Sequence, residues 1–75
     1  MHELTLDKIK KGKSVKIILL PEGNIKAQLI RLGISEGDIV KCSQRLPGGT
    51  IILKKSRQEI AIGFDLAKNI KVSDH

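Results

Sequence analysis

The sequence predicts a small, mainly β barrel with one short helix. Its apolar residues are chiefly Ile, Leu and Val, and they fall into several short runs spaced roughly ten residues apart, with turn residues between the runs. Only one segment has helical periodicity. At 75 residues the chain is predicted to form one domain, covering 1–75, with a small core.

The first strand is predicted at residues 14–20, where Val15, Ile17 and Leu19 should share one face. Pro21 lacks a backbone donor and ends the run. Further β segments are predicted at 38–45, 50–54 and 58–63, and in the tail 65–72, which also offers one turn of helix. Between the second and third strands, Pro47 followed by Gly48 suits the centre of a type II turn, which predicts a hairpin.

The helix is predicted at about residues 24–32. Asn24 is expected to cap its amino end, and the helical spacing indicates an apolar stripe formed by Ile25, Gln28, Leu29 and Leu32. Gly33 is interpreted as a left-handed residue that ends the helix, because a Cβ would be penalised there. Gly37 is interpreted as a turn residue leading into the strand at 38–45. Both glycines are therefore assigned structural roles.

The segment QLIRLGISEG, residues 28–37, resembles the signature of the FeoA domain family. The signature positions are Leu29, Leu32, Gly33, Ile34 and Gly37. The likeness covers nearly the whole chain, from LTLDKIKKGKSVKI at 4–17, through Pro47 and Gly49, to EIAIGFDLAKNIKV at 59–72. Two departures concern segments that could touch a partner: Gln28 replaces a basic residue, and a second proline near Thr50 is absent.

The resemblance implies an SH3-like small β-barrel that acts as an accessory to a FeoB-type, GTP-driven ferrous iron transporter. Such a protein would bind the transporter's cytosolic part and carry out no chemistry of its own. The same domain also ends metal-dependent repressors, but 75 residues leave no room for a DNA-reading module.

The chain is basic, with 14 Lys and Arg against 8 Asp and Glu, a net charge of +6. This field favours encounter with acidic partners, which leaves nucleic acid as the alternative ligand. Phe64 is the only aromatic residue, so the stacking platforms of single-strand binders are missing. We therefore expect contact with a protein partner through one hairpin, using Leu46, Pro47, Gly48, Lys54, Lys55 and Arg57.

Metal ligands and catalytic groups are sparse. Cys42 stands alone and is expected in the barrel wall, while His2 and His75 lie at the termini, so no metal site, cofactor or enzyme activity is predicted. No secretory leader is recognisable, and the longest apolar run, residues 17–20, is far shorter than the ~20 residues of a membrane-spanning helix. A cytoplasmic location is expected, with weak self-association through a barrel edge left open.

Overall fold

A computed structural model describes residues 4–75 of the chain. In order, the elements are β1 (Leu4–Thr5), a 3-10 turn (Leu6–Lys8), β2 (Ser14–Leu19), α1 (Asn24–Leu32), β3 (Ile39–Arg45), β4 (Ile51–Lys55), β5 (Gln58–Ile62), α2 (Phe64–Ala67) and β6 (Lys71–Asp74). The strands form one antiparallel sheet in the order β1-β6-β2-β3-β4-β5.

The sheet surrounds a single aliphatic core. Five strands and α1 contribute fully or nearly fully buried side chains to the same cluster, and Leu4 of β1 packs against it. A sheet whose successive strands all face one small core must curve around it, which confirms the predicted SH3-like small barrel. No polar or charged side chain of residues 4–75 is buried, so the core is stabilised by apolar burial alone.

The predicted strands at 14–20, 38–45, 50–54 and 58–63 correspond to β2, β3, β4 and β5 within a residue or two. The prediction that Leu19 faces inward with Val15 and Ile17 was wrong. The pairing of β2 with β6 shifts register between Ile17 and Leu19, so Leu19 is 45% exposed and Leu20 turns into the core instead. The two-residue strand β1 has no counterpart among the predictions.

The helix has the predicted bounds but not the predicted cap or stripe. Gly23 is the N-cap residue, Asn24 is already helical, and no side-chain hydrogen bond caps this end. Of the four expected stripe residues only Leu29 is buried; Ile25 is 37% exposed and Leu32 is 48% exposed. A nine-residue helix lying on so small a barrel buries a single residue rather than a full stripe.

The helix ends as predicted. Gly33 adopts the left-handed conformation, with φ 105° and ψ 12°, and the N–H of Ile34 donates to the carbonyl of Leu29 at 2.9 Å. Gly37 also has a positive φ, of 93°, and its N–H donates to the carbonyl of Ile17. The two signature glycines therefore shape the link from α1 into β3.

Candidate functional site

The turn between β3 and β4 forms an exposed apolar tip. Its backbone follows the predicted hairpin turn, since the Gly49 N–H donates to the Leu46 carbonyl at 3.2 Å and Gly48 has φ 90°. Leu46 is 39% exposed, and Pro47 and Gly48 are also exposed. The tip therefore presents a hydrogen-bonded turn carrying an exposed apolar side chain.

Phe64 extends this tip. A Cβ built on Gly49 would lie 2.9 Å from the Cβ of Phe64, and Gly49 has φ 94°, so both the space and the backbone require glycine there. The ring is 45% exposed. We call Leu46, Pro47 and Phe64 the apolar tip; the sequence prediction omitted Phe64 because it follows β5 and joins the turn only through strand pairing.

The basic residues predicted to accompany the tip lie at the other end of β4. Ile51 pairs with Ile62 beside the tip, whereas Lys55 pairs with Gln58 at the next turn. Four residue steps of a strand separate Ile51 from Lys55, or about 13 Å. The structure does not bring the six predicted residues together: Leu46, Pro47 and Gly48 lie at one end of β4, and the three basic residues lie at or beyond the other end. Lys54 and Lys55 are adjacent in the strand and therefore point to opposite sides of the sheet.

Lys55 is engaged within the protein. Its Nζ donates to the Gly33 carbonyl at 2.7 Å and to Asp38 Oδ2 at 2.8 Å. The same carboxylate oxygen accepts the Ser35 N–H at 2.8 Å. Lys55 thus satisfies a carbonyl at the end of α1 and joins the link between α1 and β3 to the far end of β4.

The electrostatic effect of this cluster appears in the pKa of Asp38. Burial of the carboxyl raises the pKa, but the hydrogen bonds from Lys55 and from the Ser35 N–H, with the charge of Lys55, outweigh burial. The pKa of Asp38 is therefore lowered from its ordinary value of 3.8. The ionised Asp38 carboxylate is stabilised by contacts within the fold. The Lys55 ammonium group makes one of those contacts and is therefore less available to bind a partner protein.

The helix surface is a less coherent apolar candidate. Ile25, Ile30 and Leu32 are each between 37% and 49% exposed. Ile30 lies five positions after Ile25, about 140° away around the helix axis, whereas Leu32 lies seven positions after Ile25 and within about 20° of it. Ile30 therefore lies apart from Ile25 and Leu32, and those two side chains stand two turns from each other along the helix.

The residues considered as metal ligands do not converge. Within residues 4–75 no three His, Cys, Asp or Glu side chains are grouped to hold a metal ion. Cys42 is fully buried in the barrel wall, as predicted, and its Sγ lies 3.7 Å from the Gln44 carbonyl. His75 is exposed, and His2 lies outside the described residues. In the same part of the chain, no helix is long and apolar enough to cross a bilayer.

Comparison with known proteins gives a family and a fold. The FeoA domain model matches residues 4–74. A crystal structure of an iron uptake regulatory protein (FeoA) is similar over 99% of this chain and 100% of its own, with 23% identity and a TM-score of 0.86. An NMR structure of a FeoA-like protein from Clostridium acetobutylicum is similar over 99% of this chain and 88% of its own, with 22% identity and a TM-score of 0.84.

A larger class of protein contains the same fold. The metal-dependent transcriptional regulator MtsR is similar over 95% of this chain but only 34% of its own length, with 16% identity and a TM-score of 0.83. No curated protein matches the chain. At these identities the solved structures establish the fold, while the match over residues 4–74 establishes the family.

Proposed function

Because the chain belongs to the FeoA domain family, we propose that it is a non-enzymatic accessory protein of ferrous iron transport. In this proposal it binds the cytosolic part of a FeoB-type, GTP-driven transporter and changes the transporter's behaviour through that contact. The association of the family with iron transport supports the assignment. In this proposal the protein is cytoplasmic and is brought to the membrane by its partner.

The apolar tip is the observation that carries the proposal. Leu46 is 39% exposed on the turn between β3 and β4, where Pro47 restricts the backbone. Phe64, the first residue of α2, is 45% exposed and packs against Gly49 of that turn. Exposed apolar side chains on a rigid support lose little conformational entropy on binding, which is the property of interface anchors. The tip therefore suits a pocket on another protein.

The basic turn at the other end of β4 contributes differently. Lys54 and Arg57 are exposed but lie too far from the tip to share its pocket. Their charges act through the long-range field, which raises the rate of encounter with an acidic surface. We expect Lys55 to contribute less to this field than Lys54 and Arg57, because its ammonium group is already bound to Asp38 and to the Gly33 carbonyl.

Surface plasmon resonance against the soluble domain of a FeoB-type transporter tests the tip. Leu46→Ala and Phe64→Ala should each weaken binding by about 5–30-fold, the equivalent of ~1–2 kcal/mol, mainly through faster dissociation. Ile30→Ala is the matched control, since Ile30 is 49% exposed but lies on α1. All variants are first compared with the parent by thermal melting.

The substitution Arg57→Gln tests whether the positive charge of the basic turn speeds association with the transporter domain. Its association rate should fall and should depend less on salt, while its dissociation rate stays near that of the parent. If the parent does not bind the transporter domain, the proposed function fails. If the parent binds and Ile30→Ala weakens binding as much as the two tip variants, the partner contact is elsewhere on the domain.

A further inference from the structure

Two lysines face each other on the outer surface of the barrel. Strand pairing places Ser14 opposite Lys41, Lys41 opposite Lys54, and Lys54 opposite Glu59, so these four residues form one row across β2, β3, β4 and β5. Lys41 and Lys54 are both exposed. Like charges directly opposite each other on neighbouring strands destabilise a sheet, so the fold itself gives no reason for this pair.

A lysine-rich turn lies beside the row. The Gly12 N–H donates to the Cys42 carbonyl at 2.7 Å, and the Cys42 N–H donates to the Lys13 carbonyl at 2.9 Å, which holds the turn against β3. Lys11 lines an open depression of about 290 Å³ together with Lys41, Lys54 and one acidic residue, Glu59. A second open depression, of about 300 Å³, is lined by Lys8, Lys10 and Lys13.

We call the positive side chains around these two depressions the lysine face: Lys8, Lys10, Lys11, Lys41 and Lys54. Within residues 4–75 none of these five lysines forms an ion pair. The lysine next to them, Lys13, pairs with Asp74 at 3.3 Å. The acidic residues after α1 do form ion pairs: Glu36 pairs with Lys26, and Asp38 pairs with Lys55. The lysine face is therefore a group of five exposed positive side chains whose charges are not neutralised by ion pairs within residues 4–75.

We infer that the lysine face docks on the anionic surface of a phospholipid bilayer. None of the eight exposed large apolar residues lines either depression, and Ile39, two positions before Lys41 on β3, lies only at the margin, so the face lacks the central apolar anchor of a protein interface. Its cations are all lysines, which act as hydrated point charges and do not need the fixed bidentate geometry that arginine provides. Diffuse attraction to lipid phosphates requires only such positive point charges near the membrane surface.

Nucleic acid is the competing polyanion and fits less well. Single-strand binders stack bases on aromatic side chains, but the one aromatic residue, Phe64, lies at the opposite end of β4, beside Gly49. Glu59 also ends the charged row and would oppose a phosphate backbone running along it. Glu59 lies beside Lys54 in the same depression, so we expect the bilayer contact chiefly at Lys41 and at the lysine-rich turn of residues 8–11, farther from that carboxylate.

Vesicle sedimentation tests the inference with the intact chain, and no transporter is present, so the result is independent of the proposed function. Binding to phosphatidylcholine vesicles containing phosphatidylglycerol should be clear at ~0.01 M salt, where the Debye length is about 30 Å. It should be lost at ~1 M salt or without phosphatidylglycerol. Equal binding to both vesicle types would overturn the inference.

Variants locate the contact. Lys41→Gln should weaken vesicle binding about fivefold and Lys41→Glu about 25-fold, because each lost positive charge removes a similar factor. Lys41→Glu should melt no lower than the parent, since it places opposite charges across from each other at Lys54. Arg31→Glu, on exposed α1, makes the same change in net charge away from the face and should weaken binding less than fivefold.

Two results would refute the assignment. If Arg31→Glu weakens vesicle binding as much as Lys41→Glu, only net charge matters and the lysine face is not a contact surface. A fluorescent single-stranded oligonucleotide provides the second check by anisotropy at the same salt. If it binds the parent more tightly than the anionic vesicles do, and Lys41→Glu abolishes that binding, the face is a nucleic-acid surface.

Discussion

Replacing Lys55 with methionine should destabilise the fold, because the Lys55 ammonium group connects two elements of the barrel. Methionine keeps an unbranched apolar stem but loses the ammonium group that joins Asp38 to the Gly33 carbonyl, with donor distances of 2.8 and 2.7 Å. After the change, the carboxylate retains only the Ser35 N–H and the carbonyl at the end of α1 loses its side-chain partner. Two elements of the barrel are then less firmly joined.

The magnitude follows from the exposure of the two side chains. A hydrogen bond to a charged group contributes about 1.5–3 kcal/mol when well buried. The side chains of Lys55 and Asp38 are 30% and 21% exposed, so solvent screening reduces that contribution. We expect a loss of about 1–2 kcal/mol for Lys55→Met, which corresponds to a fall in melting temperature of roughly 4–16 °C for a domain of this size.

The pH dependence distinguishes this cluster from a general loss of charge. Because the pKa of Asp38 is lowered in the folded state, its ionisation stabilises the fold above the ordinary value of 3.8, and this contribution is lost as the pH falls through the lowered value. In Lys55→Met, burial is no longer outweighed by the ammonium group, so the pKa of Asp38 should rise. The variant should therefore lose less stability than the parent as the pH falls from about 5 through the lowered pKa of Asp38.

Thermal melting by circular dichroism at several pH values measures both effects. Arg57→Met is the matched control, because Arg57 is exposed in the same turn and has no ion-pair partner among residues 4–75. Lys55→Met combined with Asp38→Asn completes a double-mutant cycle that isolates the pair. A melting temperature for Lys55→Met within a degree or so of the Arg57→Met value would refute the reasoning.

The remaining predictions concern a glycine, a charge pair and metal binding. Gly33→Val should cost about 1–3 kcal/mol by thermal melting, because φ is 105° and a Cβ would lie 3.1 Å from Gln58 Oε1; an unchanged melt would contradict the structural role. Lys41→Glu should raise stability by ~0.2–1 kcal/mol through its new pairing with Lys54, and a lower melting temperature would contradict this. Titration calorimetry with ferrous or zinc ion should show no site tighter than about micromolar; a tighter site would reveal a ligand set that the sequence does not suggest.

The elements of the barrel could be predicted from the sequence because each depends on local chemistry. Alternating aliphatic residues indicated β2 and β3, the Pro47-Gly48 pair indicated the hairpin, and Gly33 marked the end of α1. In each case the backbone preference of one residue, or the two-residue period of a strand, is enough. The family signature in residues 28–37 largely reflects these local requirements, since Gly33 and Gly37 have positive φ angles and Leu29 and Ile34 are buried.

Tertiary structure alone decided which side chains lie together. The extended β4 strand separates the Leu46–Gly48 turn from Lys54 and Lys55. Pairing of β4 with β5 brings Phe64 to the apolar tip, and pairing of β3 with β4 places Lys41 opposite Lys54. Lys55 resembled an exposed cation in the sequence, yet its ammonium group binds Asp38, 17 positions away. The physical reason is that surfaces and charge partnerships depend on contacts between distant residues, which register, bulges and sheet curvature set, whereas turns and strands depend on neighbours along the chain.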